Sequence, residues 1–446
     1  MNIGLAHYRI CNTDGVSLEM KKWYECLTND GHRCMYISGS VETETNAFIP
    51  GIDFGNEENR RINANCYESF CDYPSEETLK ALVFDKAADI ERRLNEIVRQ
   101  RKLDCLIVAN ILSLGWNMSA AIAFSRFARS HPKIRIVSVD SDIYWEREGY
   151  LHPVVGFVRD VFDTYLLPDL VNVRHCAISE RARNEIIKRR GIYADVLYKA
   201  MDREHAPAED KHITEYLRNR ISAGPDDIVV LNPNRIALRK SVEFTVEFVH
   251  EMMRQLGDMR GRPLYDGRTV TGDSHVILAM YGLNDSFDRS YVRALREVID
   301  RYGVRFVYMG DIIGTHRSSD LSQLHYLDAY YMADAVAAGS VLEGWGNHLL
   351  EAAVTRKPLA MFEYPVYETD LRHYGFRICS MGNQYRDVRP LKIIPRGAVS
   401  SAARRMWALL TDRAAYEAAV DKNFAILEKQ FSYKRLSAAL NKILRF

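Results

Sequence analysis

The stretch that decides the fold is SVLEGWGNHLLEAAVTRKP, Ser340 to Pro358. Glu343 is followed by Gly344-Trp345-Gly346, an apolar helix then starts near Asn347, and Glu351 falls one turn into it, eight residues after Glu343. Glycines ahead of a helix N-terminus let backbone N–H groups approach an anion with no Cβ in the way. Carboxylates accept hydrogen bonds from paired hydroxyls, as on a hexose or a ribose. A phosphate flanked by two polyols describes a nucleotide-sugar. Solvent-facing glutamates around a helix cap are the plainer reading, but they leave Trp345 between two glycines unexplained.

Working outward, LNPNRIALRKSVEFTVEFV (Leu231 to Val249) ends an apolar strand at Asn232 and places Arg235 and Lys240 before an amphipathic helix. Cations just past a strand end suit a diphosphate, whose charge as a leaving group they neutralise. Arg239 reads as a solvated neighbour.

The rest of the chain repeats this strand-then-helix pattern. Strands are expected at Ile3–Ala6, Cys34–Ser38, Leu106–Ala109, Ile134–Val139, His175–Ile178 and Asp195–Lys199. A charged connector with Pro207, Gly224 and Pro225 follows, then a second series at Ile228–Asn232, Val276–Met280, Val304–Tyr308, Ala335–Ala338 and Leu359–Phe362. Alternation of this kind gives an α/β protein with parallel sheets. Residues 42–77 look like an inserted excursion, and residues 259–273, with three glycines and a proline, like an exposed loop. At 446 residues two domains are expected, 1–202 and 203–424, with a C-terminal helix at about 425–446 packing back on the first. Ligands bind beyond the carboxyl ends of parallel strands, so a shared interdomain site is the place for chemistry.

Hydrophobic residues make up 47% of the chain, charged residues 27%, and the net charge is +1, which gives no global bias toward nucleic acid. The basic runs Arg99–Lys102 and Arg181–Arg190 read as solvated helix faces; the alternative is peripheral contact with anionic lipid headgroups on the cytoplasmic face of a membrane. The N-terminus lacks a signal-peptide pattern, and eight cysteines form no Cys-x-x-Cys pair, so a cytoplasmic protein with buried thiols is expected.

Asp14-Gly15-Val16 after the first strand, Arg235-x4-Lys240, Gly310 after a late strand and Glu343-x7-Glu351 together resemble the retaining glycosyltransferases of family 4. The resemblance spans essentially the full length. It implies the GT-B architecture: two Rossmann-like parallel-sheet domains facing across an interdomain cleft, the first on the acceptor side and the second binding a UDP- or GDP-linked donor. It also implies roles. Arg235 and Lys240 hold the diphosphate, Glu351 the ribose, and Glu343 the transferred sugar, with backbone amides from Gly344, Trp345 and Gly346. Gly15 approaches the distal phosphate and Gly310 lies beside the base. No enzyme nucleophile and no cofactor are required. The expected activity is transfer of a hexose, mannose or glucose, to a hydroxyl acceptor: a small polar compound, a saccharide or a lipid-linked glycan. A non-catalytic partner subunit and an epimerase of the same fold are the alternatives.

One segment departs from the family. Many relatives carry a histidine where this chain reads Val139-Asp140-Ser141-Asp142. An Asp-x-Asp past a strand is also a metal-clamp pattern. Because Arg235 and Lys240 already supply the positive charge, no divalent metal is expected, and Asp140 and Asp142 are assigned to the acceptor side, with Asp142 counted among the catalytic groups. Tyr144 and Trp145 either line an acceptor pocket or belong to the core.

Overall fold

Two all-parallel sheets, each covered by helices, carry the chain in the computed structural model, which describes residues 1–10, 15–40, 46–282 and 289–446. The first is built from β1 (Asn2–His7), β2 (Arg33–Ser38), β3 (Asn46–Phe48), β4 (Cys105–Ala109), β5 (Arg135–Asp140), β6 (Val173–Ala177) and β7 (Ala194–Val196), in the order β3-β2-β1-β4-β5-β6-β7. β4, CLIVA, is buried at every residue, as a strand sandwiched by helices must be. The expected excursion supplies the edge strand β3 and a short helix, Glu57–Tyr67, capped by Asn56.

The second sheet contains β8 (Ile228–Asn232), β9 (Val276–Met280) and β10 (Arg305–Tyr308). After the two-residue pair β11 (Ile313–Gly314) and β12 (Leu324–His325), it continues with β13 (Ala335–Ala338), β14 (Leu359–Met361) and β15 (Cys379–Ser380). Its order is β10-β9-β8-β13-β14-β15; a small antiparallel pair, β16 (Arg386–Val388) and β17 (Leu391–Ile393), stands apart. In each sheet the strand order reverses once, at β1/β4 and at β8/β13. The loops leaving those four strands are where an open α/β sheet binds ligands.

The chain divides into Met1–Lys199 with Tyr433–Phe446, and Ala200–Ser432. The second unit thus begins three residues before the expected boundary, and the return to the first starts at Tyr433 rather than near 425. Met201 donates its N–H to the Phe431 carbonyl and Arg203 to Glu428, which ties both stretches to the second unit. The returning helix, Tyr433–Ile443, lies on the helix Gly15–Asn29, where Ser437 and Asn441 both donate to Asp30 at 2.6 Å.

Two surface expectations resolve differently. Residues 259–273 are anchored: Tyr265 stacks on Tyr416 at 4.0 Å, Val270 is fully buried, and Arg268 pairs with Asp266 and Asp334. The basic helix Glu180–Arg190 finds counter-charges on itself and on the helix Phe157–Tyr165, with Arg183 on Glu180, Arg189 on Glu185 and Arg190 on Asp163. Among the described residues no helix is long and apolar enough to cross a membrane.

Candidate functional site

In the second unit the loop leaving β8 closes as a single 3-10 turn, Leu238–Lys240, before the helix Val242–Met259. That turn swings Lys240 inward, to 8% exposure, and leaves Arg235 exposed. The loop leaving β13 brings Glu343 to meet it. Lys240 Nζ lies 2.5 Å from Glu343 Oε1, and Arg239 lies 3.8 Å from Oε2. Burial alone would raise the Glu343 carboxyl, but Lys240 and the neighbouring cations outweigh it and hold it down at about 2. Burial pushes the Lys240 ammonium below its ordinary value, with Glu343 opposing.

Gly346 holds φ +99°, and an added Cβ would collide with the hydroxyl of Tyr364, which donates to the Trp345 carbonyl at 2.7 Å. Gly344 is exposed, whereas the Trp345 side chain is 2% exposed and packs on Phe431. The indole is therefore a core element, and what this turn presents outward is backbone. Glu351, in the helix Asn347–Val354, accepts from the Tyr330 hydroxyl at 2.5 Å, and Tyr330 is bonded in turn to Tyr281 just past β9. Gly310 packs against Tyr308 and the Tyr281 carbonyl, and Gly282 packs against the Asn234–Arg235 backbone. The loops after β8, β9 and β10 thus touch one another along the carboxyl edge.

Four polar groups that sequence reasoning missed complete this edge. Asn232 Nδ2, Asn234 Nδ2, Ser340 Oγ and His348 Nε2 are all shielded from solvent and have no hydrogen-bond partner among the described residues. A buried polar group left unsatisfied costs about 1–3 kcal/mol. The four cluster at the carboxyl ends of two adjacent strands: Asn232 closes β8, Asn234 and Ser340 follow β8 and β13, and His348 lies in the first turn of the helix Asn347–Val354. The Asn-Pro-Asn at the β8 exit was the available signal. Burial also pushes the His348 imidazole down to about 4, so it is neutral at physiological pH.

In the first unit Gly15 opens the helix Gly15–Asn29, exposed and with open space where a Cβ would point; Asp14 lies outside the described residues. Asn110, after β4 and in the left-handed region at φ 60°, accepts the N–H groups of Ser141 and Asp142 and so pins the loop leaving β5. The assignment of Asp140 to an acceptor-facing position is corrected. Its side chain is buried, Oδ1 accepts from Ser138 at 2.6 Å, and Oδ2 pairs with His175 Nδ1 at 2.8 Å. His175 Nε2 faces the Pro168 carbonyl at 3.1 Å. A carbonyl and a carboxylate can only accept, so both ring nitrogens donate and His175 is an imidazolium. Burial opposes that charge, yet Asp140 and Pro168 raise the His175 pKa above its ordinary value. Asp142 remains half-exposed, paired with Arg147 at 2.8 Å. Tyr144 packs on Phe162, and Trp145 sits under Arg189 beside a small apolar cluster around Ile143 and Leu167.

The chain is 30% identical over 443 residues to a mannosylglucosylglycerate synthase of Thermotoga maritima, with 99% of each chain covered. It is 29% identical over 414 residues to one of Petrotoga mobilis, covering 92% of this chain and 94% of the relative. The chain belongs to the family 4 glycosyltransferases. No protein-family model matches it. Among solved structures, Anabaena HepE in complex with UDP and glucose covers all of this chain and 99% of its own, with a TM-score of 0.61 at 13% identity. Sucrose-phosphate synthase of Thermosynechococcus elongatus gives 0.62 at 11% identity, over 100% and 98% of the two chains. These neighbours establish the GT-B fold. As a hexosyltransferase of this family, the protein has its cation–carboxylate pair and its unsatisfied amides on the second sheet. Among the described residues no three His, Cys, Asp or Glu side chains are grouped to hold a metal ion.

Proposed function

We propose that this enzyme transfers mannose, with retention of anomeric configuration, from a nucleotide-diphospho-mannose to glucosylglycerate in the cytoplasm. The observation that carries the proposal is the buried Lys240–Glu343 pair beside Arg239, at a strand edge where four buried polar groups lack partners among the described residues. The near-complete alignment with two mannosylglucosylglycerate synthases supports the sugar and the acceptor.

Arg235 and Lys240 take the diphosphate, UDP- or GDP-linked, and Glu351, oriented by Tyr330, takes the ribose hydroxyls. Glu343 receives the mannosyl hydroxyls, the turn through Gly344, Trp345 and Gly346 offers backbone N–H groups, Gly15 approaches the distal phosphate, and Gly310 borders the base. As the bond from C1 to the phosphate oxygen breaks, the acceptor oxygen bonds to C1 on the same face and its proton passes to the departing phosphate. Asp142 orients the acceptor. Fixed cations then do the work that a divalent metal does in other glycosyltransferases.

The test is incubation with GDP-, UDP- and ADP-hexoses and glucosylglycerate, with and without EDTA, reading product anomer by NMR and donor binding by thermal shift. An EDTA-insensitive α-mannoside product from an α-linked donor is expected. A protein whose melting temperature no nucleotide raises would sink the proposal.

A further inference from the structure

We infer that Arg9, set on the ring of Phe54 where it packs against Trp116, is the acceptor-specificity residue, binding the carboxylate of an anionic hexoside. The inference rests on the proposed acceptor and extends it to a residue.

Arg9 lies two positions beyond β1, in one of the loops at the strand-order reversal of the first sheet. Its guanidinium lies over Phe54 at 4.2 Å, and its Nε is shielded from solvent without a hydrogen-bond partner among the described residues. No described carboxylate forms an ion pair with it. Asp53, next to Phe54 in the chain, spends Oδ1 on the Gly55 N–H at 2.7 Å, and Asp14 lies outside the described residues. An arginine that is half-buried, held over a ring and without a counter-ion among the described residues is set up for a planar anion, which its fork can bind through two parallel N–H groups.

The surroundings are built to hold this geometry. Phe54 and Trp116, both half-buried, pack at 4.5 Å, and the fully buried Tyr8 supports both rings while its hydroxyl donates to Leu114 at 2.8 Å. Asn63 donates to the Trp116 carbonyl at 2.7 Å, and Asn117 to that of Gly51 at 2.8 Å, which fastens the excursion carrying Phe54 to the loop carrying Trp116. Aromatic faces take the C–H face of a pyranose, and the adjacent guanidinium takes a carboxylate. Glucosylglycerate is a hexose ring with a carboxylate a few bonds away.

The experiment compares kcat/KM for glucosylglycerate with that for glucosylglycerol, which has a hydroxymethyl group in place of the carboxylate, in wild type, Arg9→Gln, Arg9→Lys and Trp116→Ala. Wild type is expected to favour the acid. Arg9→Gln should erase most of that preference through a KM increase on the order of 10- to 100-fold for the acid alone, with donor KM unchanged. Arg9→Lys should retain part of the preference, and Trp116→Ala should weaken both acceptors together. Melting temperature and donor thermal shift confirm that each variant is folded. Full preference for the acid in a folded Arg9→Gln, or a wild type indifferent to the carboxylate, would overturn the inference. No turnover of glucosylglycerate by a wild type that binds donor would instead overturn the acceptor assignment on which it rests.

Discussion

Lys240 Nζ lies 2.5 Å from Glu343 Oε1, and the two side chains are only 11% and 7% exposed. Removing one member of a buried pair leaves the other charge uncompensated, at a cost of roughly 3–5 kcal/mol. Lys240→Met should fall at the low end, because Arg239 stays within 3.8 Å of the carboxylate. Adding Glu343→Gln should restore much of the stability measured by urea denaturation, without restoring the thermal shift on donor addition. A double variant that regains donor binding would separate the pair from donor recognition.

How much of this was legible depended on where each residue's partners lie. Strands β4, β8 and β9 read directly from unbroken apolar runs, since both faces of a parallel sheet are covered. Glu343 and Lys240 could be proposed together because each follows a strand end. Asp140 could not be placed, because its partner His175 is 35 residues away and only the β5–β6 register brings them together. The unpartnered amides of Asn232 and Asn234 were equally hidden: lacking a partner is a property of packing. Residues 259–273 have loop composition, yet the Tyr265–Tyr416 stack holds them down.

Stability should fall on mild acidification through His348. Burial holds its pKa at about 4, against about 6.5 in the unfolded chain, so the unfolded state binds the extra proton. The sign is therefore a loss of stability as pH falls from about 6.5 toward 4, on the order of 3 kcal/mol in total from this group. His348→Asn should flatten that part of the profile in urea titrations at successive pH values. An unchanged slope would show that His348 takes up its proton equally in the folded and unfolded chain, against the lowering that burial imposes.

Gly346→Ala should damage the site more than the fold. A side chain at φ +99° is strained, and its Cβ would press on the Tyr364 hydroxyl that fixes the Trp345 carbonyl. Relief requires the turn between Glu343 and the helix at Asn347 to move. The expected result is a melting temperature lowered by several degrees, about 1–3 kcal/mol of strain, with donor KM raised and far-UV circular dichroism unchanged. Wild-type donor KM would show that the turn does not contact the donor.

The Asp140–His175 pair separates a structural role from a metal-binding one. His175 has its pKa raised in the fold, so its contribution is fully present below the unfolded value near 6.5 and is lost as pH rises through the folded value. Asp140→Asn keeps the shape but removes the negative charge facing the imidazolium. It should lower stability most at acidic pH and bring the decline on raising the pH to lower values. Activity per folded molecule should stay near wild type, because Ser138 and His175 occupy the carboxylate and none of it faces a ligand. EDTA should leave both proteins unaffected, and added Mg²⁺ or Mn²⁺ should restore nothing. A wild-type enzyme that EDTA silences and Mn²⁺ revives, with Asp140→Asn inert to both, would return the Asp-x-Asp to the metal role that its spacing suggests.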